Sequence, residues 1–346
     1  RTHTCGELRP EHAGTAATLA GWVDRVRDHK GVIFIDLRDR YGRTQVVVGP
    51  ESGEANLAAA KKVRPEWVLQ VTGRISPRPE GTVNAKLPTG GIELACEQLV
   101  VFSEAETPVF QPGAVELPGE EVRLAHRWLD LRRQAMQDNL MLRHRMVKLM
   151  RDHFDEAGFI EVETPMLGRS TPEGARDFLV PSRLDHGSFF ALPQSPQLYK
   201  QLLMMAGFDR YVQVAKCFRD EDLRADRQPE FTQLDVEMSF VEADDVMGVI
   251  DSLVQKTARE VLGLEIPLPL PRLSWDEAME RFGHDAPDRR FGLEITDCTD
   301  IAADSEFRVF RGAVEAGGRV RGIRVAEAAS RFSRKDLDTL TQMAVD

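Results

Sequence analysis

Cysteine is scarce in this chain: Cys5, Cys96, Cys217 and Cys298 are the four among 346 residues, far apart and never in a Cys-x-x-Cys pair. That spacing argues against a disulfide framework or a zinc knuckle and fits a reducing, cytoplasmic setting. No run of eighteen apolar residues occurs and the first residues lack an apolar leader core, so neither a membrane span nor a secretory signal is expected. Neither GxGxxG nor GxxxxGK[ST] is present, which removes the two common glycine-loop solutions to nucleotide binding. An excess of positive charge is missing too, the formal net charge being −11. Its distribution matters more than its sum. Residues 1–107 hold 14 basic and 14 acidic side chains, so the whole excess lies in the remainder. Arg25, Arg27, Lys30, Arg38, Arg40 and Arg43 crowd one stretch of that neutral part and give it a candidate basic face. With 42% hydrophobic and 29% charged residues, the chain has the composition of a soluble globular protein of two or three domains.

What is present begins with short β-type runs at Ala17–Val26, Val32–Asp36, Thr44–Val48, Trp67–Arg74 and Gly91–Phe102, with one helix expected over Ala55–Val63. Five strands with a helix between the third and fourth predict a small Greek-key barrel of the OB type over residues 1–107. Such barrels bind single-stranded nucleic acid through stacking rings and polar groups that read base edges. Phe34 and Gln45 are the candidates, Phe34 reading equally as a core ring. Thr107-Pro108, Gln111-Pro112-Gly113 and Leu117-Pro118-Gly119 then break regular structure, so residues 108–135 are expected to be a hinge.

The second domain, expected over 136–286, opens with a helix from Met136 to Ala157 whose apolar positions include Leu140, Val147, Met150 and Phe154, closed by Gly158. A strand over 159–163 stops at Thr164-Pro165. Glu173 lies in a loop bracketed by Pro172 and Gly174, open to a solvated role or to closure over an ammonium group. Gly187–Leu192 reads as a strand, and Ser195 as the N-cap of a helix with Pro196 in its first turn. Lys200 stands near the start of that helix, where the dipole disfavours a cation, which suggests an anionic partner. The most informative stretch is 211–240. Tyr211–Phe218 and Phe231–Phe240 read as two strands, with Thr232, Leu234, Val236, Met238 and Phe240 on one face and Phe231, Gln233, Asp235, Glu237 and Ser239 on the other. Between them runs Asp220-Glu221-Asp222-Leu223-Arg224-Ala225-Asp226-Arg227-Gln228-Pro229-Glu230, either a solvated tip or a site for a polyanion carrying a planar base. Arg219 would grip a phosphate or carboxylate with its fork, and Phe231 would offer a stacking face. Strands near 159, 190, 214 and 235 imply an antiparallel sheet flanked by helices rather than a doubly wound fold.

Phe218-Arg219-Asp220-Glu221 with its hairpin resembles motif 2 of class II aminoacyl-tRNA synthetases, and the 139–165 helix–strand–proline unit resembles their motif 1. Together with Thr171–Phe178 and Leu192-Pro193-Gln194-Ser195-Pro196-Gln197-Leu198-Tyr199-Lys200, the run from residue 1 to about 295 is similar to the bacterial-type aspartyl-tRNA synthetase family. The resemblance implies an N-terminal OB-type β-barrel for the anticodon and an α+β catalytic domain. It also implies that residues 287–346 begin an α+β insertion domain, entered at Asp285-Ala286-Pro287-Asp288-Arg289-Arg290. The implied activity is ATP-dependent attachment of L-aspartate to tRNA-Asp through aspartyl-adenylate, in a cytoplasmic homodimer joined through motif 1.

Carried over position by position, Arg219 would hold the α-phosphate and the substrate α-carboxylate. Phe231 would stack on adenine, and Asp220, Glu221 and Gln228 would line the nucleotide. Glu173, Ser195 and Gln197 would surround the substrate ammonium, Lys200 would pair with the side-chain carboxylate, and Asp235 would orient that cluster. Phe34, Gln45 and Glu93 match anticodon-reading positions. His29 and Gly81 lie where the third letter is chosen, and their residue types suggest relaxed reading, hence an alternative enzyme charging both tRNA-Asp and tRNA-Asn. Motif 3, the later acidic Mg²⁺ ligands and a second substrate arginine have no counterpart before Asp346. The segment alone is therefore not expected to make adenylate, with no metal site of its own and Mg²⁺ ligands expected mostly beyond residue 346. A non-catalytic tRNA-binding or dimerising module is the rival from another class. It would bind RNA in a steeply salt-dependent way and not bind ATP.

Overall fold

The computed structural model describes residues 1–345 except 223, 225, 226, 291, 327 and 329. Leu223, Ala225 and Asp226 of the charged loop thus lie outside the described residues. Two compact units divide the chain: Arg1–Glu242 with Lys256–Leu264, and Ala243–Gln255 with Glu265–Asp346.

Five strands open the first unit: β1 (Ala16–His29), β2 (Val32–Asp39), β3 (Gly42–Val48), β4 (Val68–Pro77) and β5 (Ile92–Ser103), with helix α1 (Glu54–Lys62) between β3 and β4. They close a barrel in the order β1-β2-β3-β5-β4, with β4 paired antiparallel to β1 and a short parallel contact of β3 with β5. Closure follows from strict alternation. Leu19 and Val23, Ile33, Ile35 and Leu37, Val46 and Val48, Leu69 and Val71, and Ile92 and Leu94 all point inward and are buried. Burying one such side chain stabilises by about 1.5–3 kcal/mol, so the barrel carries its own core. Gly73 sits where β4 crosses β5. A Cβ there would lie 1.9 Å from the Ala95 carbonyl oxygen, and the register slips beside it.

A linker with two short helices, α2 (Glu120–Ala125) and α3 (Arg127–Asp130), leads into α4 (Gln134–Glu156). Gly158, at φ +78°, ends α4, and the Phe159 N–H donates to the Phe154 carbonyl at 2.9 Å. Leu149, His153 and Phe154 are the buried face of α4, whereas Leu140 is exposed. Beyond it come β6 (Ile160–Glu161), β7 (Leu179–Pro181), β8 (Phe189–Ala191), α5 (Gln197–Met205), β9 (Arg210–Phe218) and β10 (Glu230–Met238).

The expected sheet differs in three ways. Its order is β10-β9-β6, with β9–β10 antiparallel but β6 parallel to β9, while β8 pairs with β7 in a separate ribbon and bridges Gly168 through Ala191. The strand expected over 159–163 is reduced to two residues, because only Ile160 and Glu161 find partners, at Tyr211 and Val212. Phe240 is not on the apolar face. The ladder ends at Met238 opposite Arg210, and Phe240 follows at φ +60° with its ring 98% exposed.

The second unit contains α6 (Ala243–Thr257, its last two residues belonging to the first unit), α7 (Trp275–Phe282), β11 (Ile295–Asp297), α8 (Thr299–Ala303), α9 (Arg308–Glu315), β12 (Arg321–Ile323) and α10 (Arg334–Val345). Ser274 caps α7: its Oγ accepts the Glu277 N–H, and Glu277 in turn accepts the Ser274 N–H at 3.0 Å. Glu280 binds Arg319 at 2.8 Å and also Arg321, which ties α7 to β12. No helix among the described residues is long and apolar enough to cross a membrane.

Candidate active site and nucleic-acid face

Strands β9 and β10 floor the site. Alternation sends Phe231, Gln233, Asp235 and Glu237 to one side of β10, as the sequence predicts. Helix α5 brings Lys200 over that side, and Lys200 is buried despite its charge. Its Nζ donates to Asp235 Oδ1 at 2.8 Å and reaches Glu237 Oε2 at 3.3 Å. Burial alone would push Lys200 toward neutrality, but these two carboxylates outweigh it and hold its pKa above the usual lysine range. An ammonium has three N–H donors, so one remains for a ligand. Asp235 Oδ2 is buried with no hydrogen-bond partner of good geometry among the described residues, and the Tyr211 hydroxyl lies against the same carboxylate.

A loop closes over this floor. Ser195 Oγ donates to Glu173 Oε2 at 2.8 Å, and Thr171 Oγ1 donates to Glu173 Oε1 at 3.1 Å. Helix α5 starts one residue later than expected: Pro196 takes the cap position, while Ser195 Oγ accepts the Gln197 N–H at 3.3 Å. One serine thereby ties the loop carboxylate to the helix start. The Gln197 side chain is half-buried and makes no hydrogen bond among the described residues, which leaves its amide free for a substrate.

Arg219 leaves the end of β9, its N–H bonded to the Pro229 carbonyl at 2.9 Å, and its guanidinium lies 4.9 Å from the centroid of Phe231. The two side chains are therefore in contact, without room for a base between them. Two optimal carbon contacts need about 7–8 Å, so a base on that ring face displaces the guanidinium. Asp220 meets Arg176 at 3.9 Å and Glu221 meets Arg227 at 3.7 Å, along a cavity lined also by Gly174 and Asp222. Gln228 is exposed beside them.

Several residues at this centre escaped the sequence reading. Cys217 is buried, and its thiol is pushed up to about 11 by burial, with Arg219 pulling down and Asp235 and Glu173 pushing up. All three candidate site groups thus lie within electrostatic reach of one sulfur. Gln194, 2% exposed, takes the Ala175 N–H at 3.0 Å and gives its own amide to the Ala175 carbonyl at 2.8 Å and to Asp177, so it staples the Glu173 loop. On the same face, Tyr211 and Gln213 of β9 stand opposite Glu237 and Asp235, and Thr164 and the buried Tyr211 both donate to Gln213 Oε1, at 3.0 and 2.7 Å. Only Glu237 had a signal in the sequence, its place on the Asp235 face. Among the described residues no group of three or more His, Cys, Asp or Glu side chains is placed to hold a metal ion.

On the barrel, Phe34 and Asp36 of β2 and Glu93 of β5 alternate with buried neighbours and face outward, while Gln45 of β3, which hydrogen-bonds to this group, is itself buried. Phe34 is half-buried, between a core ring and an open stacking face. Gln45 bridges the set: it donates to Glu93 Oε2 at 2.8 Å and accepts from Arg27 at 3.1 Å, while Arg27 also binds Asp36 at 2.8 Å. His29 and Gly81 are both exposed, Gly81 at φ +79°.

A model of class II tRNA synthetases (D, K and N) matches residues 119–335, and one of the OB-fold nucleic acid binding domain matches residues 17–102. A Rhodopirellula baltica protein named aspartate–tRNA(Asp/Asn) ligase is 62% identical over 99% of this chain and 58% of its own length. A Bacillus licheniformis protein named aspartate–tRNA ligase is 51% identical over 100% of this chain and 59% of its own length. The chain thus spans less than two thirds of the length of these relatives. Among solved structures, asparaginyl-tRNA synthetase from Pyrococcus horikoshii complexed with asparaginyl-adenylate superposes with a TM-score of 0.67 at 27% identity, over 76% of this chain and 59% of that one.

Proposed function

The chain belongs to the class II tRNA synthetases of the D, K and N group, and from that premise we propose that it serves the ATP-dependent attachment of L-aspartate to tRNA-Asp. The observation that carries this reading is the buried Lys200 cation between Asp235 and Glu237, beside the buried Asp235 Oδ2. That pattern is complementary to aspartate: the third Lys200 N–H meets the side-chain carboxylate, while Asp235 Oδ2 and Glu173 accept from the substrate ammonium. Asparagine offers a neutral amide at that position, whose hydrogen bond to the third Lys200 N–H lacks the charge assistance that a carboxylate brings.

The α-carboxylate of aspartate attacks the α-phosphorus of ATP, and the bond to pyrophosphate breaks. Arg219 turns from Phe231 to the α-phosphate as adenine takes the ring face. A guanidinium already positioned there stabilises the charge gathering on the phosphate oxygens. The terminal ribose hydroxyl of tRNA then attacks the aspartyl carbonyl, and AMP leaves. Asp220, Glu221 and Gln228 line the nucleotide. Mg²⁺, which accompanies ATP in such chemistry, finds no ligand cluster among the described residues, and the roles given to Lys200, Arg219 and Phe231 do not depend on it.

The outer face of the barrel, with Phe34, Gln45 and Glu93, takes the anticodon, and His29 and Gly81 border the third letter. The relatives' names differ on tRNA choice, and aspartylation of tRNA-Asp is what they share. Homodimerisation through α4 fits the exposed Leu140, Met141 and Leu142 and the cavity between α4 and the sheet, lined by Leu142, Met146, Val147 and Leu234. Charging assays with purified tRNA-Asp and tRNA-Asn, using labelled aspartate and asparagine on the whole protein, test the function. Aspartylation of tRNA-Asp without use of asparagine is expected, and asparaginylation or no charging of tRNA-Asp overturns it.

A further inference from the structure

Among the buried carboxylates outside both sites, one is shared between the barrel and the linker. Glu66, in the turn between α1 and β4, is 5% exposed and adopts φ +69°, a left-handed conformation disfavoured for any residue with a Cβ and retained where the surroundings over-determine it. Its two oxygens are divided between two arginines. Oε1 accepts from Arg38 of β2, and Oε2 accepts from Arg132, which lies in the linker just before α4. Arg38 also binds Asp24 at 3.0 Å, and Asp24 binds Arg43 at 2.7 Å, which anchors the barrel end of the network. Asp24 is the residue at which the β1–β2 register slips, so a bulge turns it toward these arginines.

The other end is anchored as firmly. The Arg132 guanidinium lies 4.9 Å from the ring of Trp22 on the barrel and 5.5 Å from that of Trp128 on α3. It is therefore held by a carboxylate and by two indole faces. The neighbouring Arg133 and Arg127 bind Asp130 at 2.8 and 2.7 Å, and Asp130 has no exposed surface. Arg133 is the cap residue of α4, and α4 carries Arg151, which grips Glu161 of β6 at 2.9 Å beside the site floor. An unbroken run of ion pairs and packed elements thus joins the strand bearing Phe34 to the sheet bearing Asp235.

We propose that Glu66 and Arg132 are positioning residues that fix the barrel against the catalytic body, so that an RNA gripped by the barrel presents its far end to the site. The inference rests on the reading that barrel and body hold one tRNA. Two sites held rigidly at a matching span bind a two-site ligand with a high effective concentration, and that gain falls once the joint swings. Neither residue touches the barrel's outer face or the aspartate pocket. Loosening the joint therefore weakens whole tRNA and spares an isolated anticodon stem-loop.

The test uses the 346-residue chain carrying Cys298→Ser, with spin labels on Glu54→Cys and Asp155→Cys, alone and with Glu66→Gln, Arg132→Met or Arg132→Lys. One narrow label-to-label distance is expected for the parent, and a broad one for Glu66→Gln and Arg132→Met. In the same two variants tRNA-Asp affinity should fall about tenfold with stem-loop affinity unchanged, and Arg132→Lys should restore most of both. An unchanged narrow distance overturns the proposal, as does an equal loss of stem-loop binding, which would mean damage to the barrel itself. If the parent binds neither RNA, the tRNA reading fails and the distance distribution alone decides the joint.

Discussion

The guanidinium of Arg219 lies over the ring of Phe231, 4.9 Å from its centroid, at the base of one β-hairpin. The pairing is fixed by register: Phe231 stands opposite Cys217 on β9, two residues before Arg219. Under the proposed function, phosphate grip and base platform are neighbours that would trade places when a nucleotide arrives. Phe231→Leu should weaken an aspartyl-adenylate analogue by about 1–3 kcal/mol, the usual worth of one base stack. Arg219→Lys should weaken it too, since a point charge replaces a fork. Calorimetric titration of both variants checks this, and unchanged affinity in Phe231→Leu would remove the ring from the site.

Lys200 sets the pH behaviour of the pocket. Burial lowers its pKa but Asp235 and Glu237 raise it more, so the folded value lies above the ordinary 10.5. A raised folded value means that its stabilising contribution is fully present below the unfolded pKa and is lost as pH rises through the folded one. Aspartate affinity should therefore show no titration of this group from about pH 6 to 9 and decline only beyond about 10.4. Lys200→Met strands two carboxylates and should cost about 3 kcal/mol of stability, read by urea unfolding, together with loss of aspartate binding.

Gln194 acts through the loop it staples. Gln194→Leu removes both bonds to Ala175 and the one to Asp177, each worth about 0.5–1.5 kcal/mol at these half-buried groups. The loop bearing Glu173 should then open. Faster amide exchange over residues 171–178 and weaker aspartate binding, with the barrel's exchange unchanged, are the expected readouts.

On the barrel, stacking and charge should separate by salt. Phe34→Ala is expected to weaken tRNA binding by about 1–3 kcal/mol without changing the slope of log K against log salt. If Arg27, which holds Gln45 and Asp36, also meets a phosphate, Arg27→Gln reduces that slope by about one. Binding isotherms at several salt concentrations distinguish the two.

The barrel was legible because each strand must alternate to fill its interior, as Leu19, Ile33, Ile35 and Val46 do. The hairpin was legible for the same reason, and alternation put Asp235 and Glu237 on one face. Where the polar face meets other elements, the pattern falls silent. That Glu237 shares Lys200 depends on α5, and that Gln194 holds Ala175 depends on a loop closure across 19 positions. Neither leaves a period in the sequence. The parallel pairing of β6 with β9 was missed because two residues carry too little pattern to show direction. Phe240 was misplaced because alternation continues past the point where β9, beginning at Arg210, has partners to offer.

The most direct measurement is competitive binding of the non-hydrolysable aspartyl and asparaginyl sulfamoyl-adenosines to this chain and to its Lys200→Met variant. The aspartyl compound should win clearly on the parent chain, and the preference should vanish with the lysine. Equal affinity for both on the parent, or a preference that survives Lys200→Met, would contradict a pocket selected for a carboxylate by that buried cation.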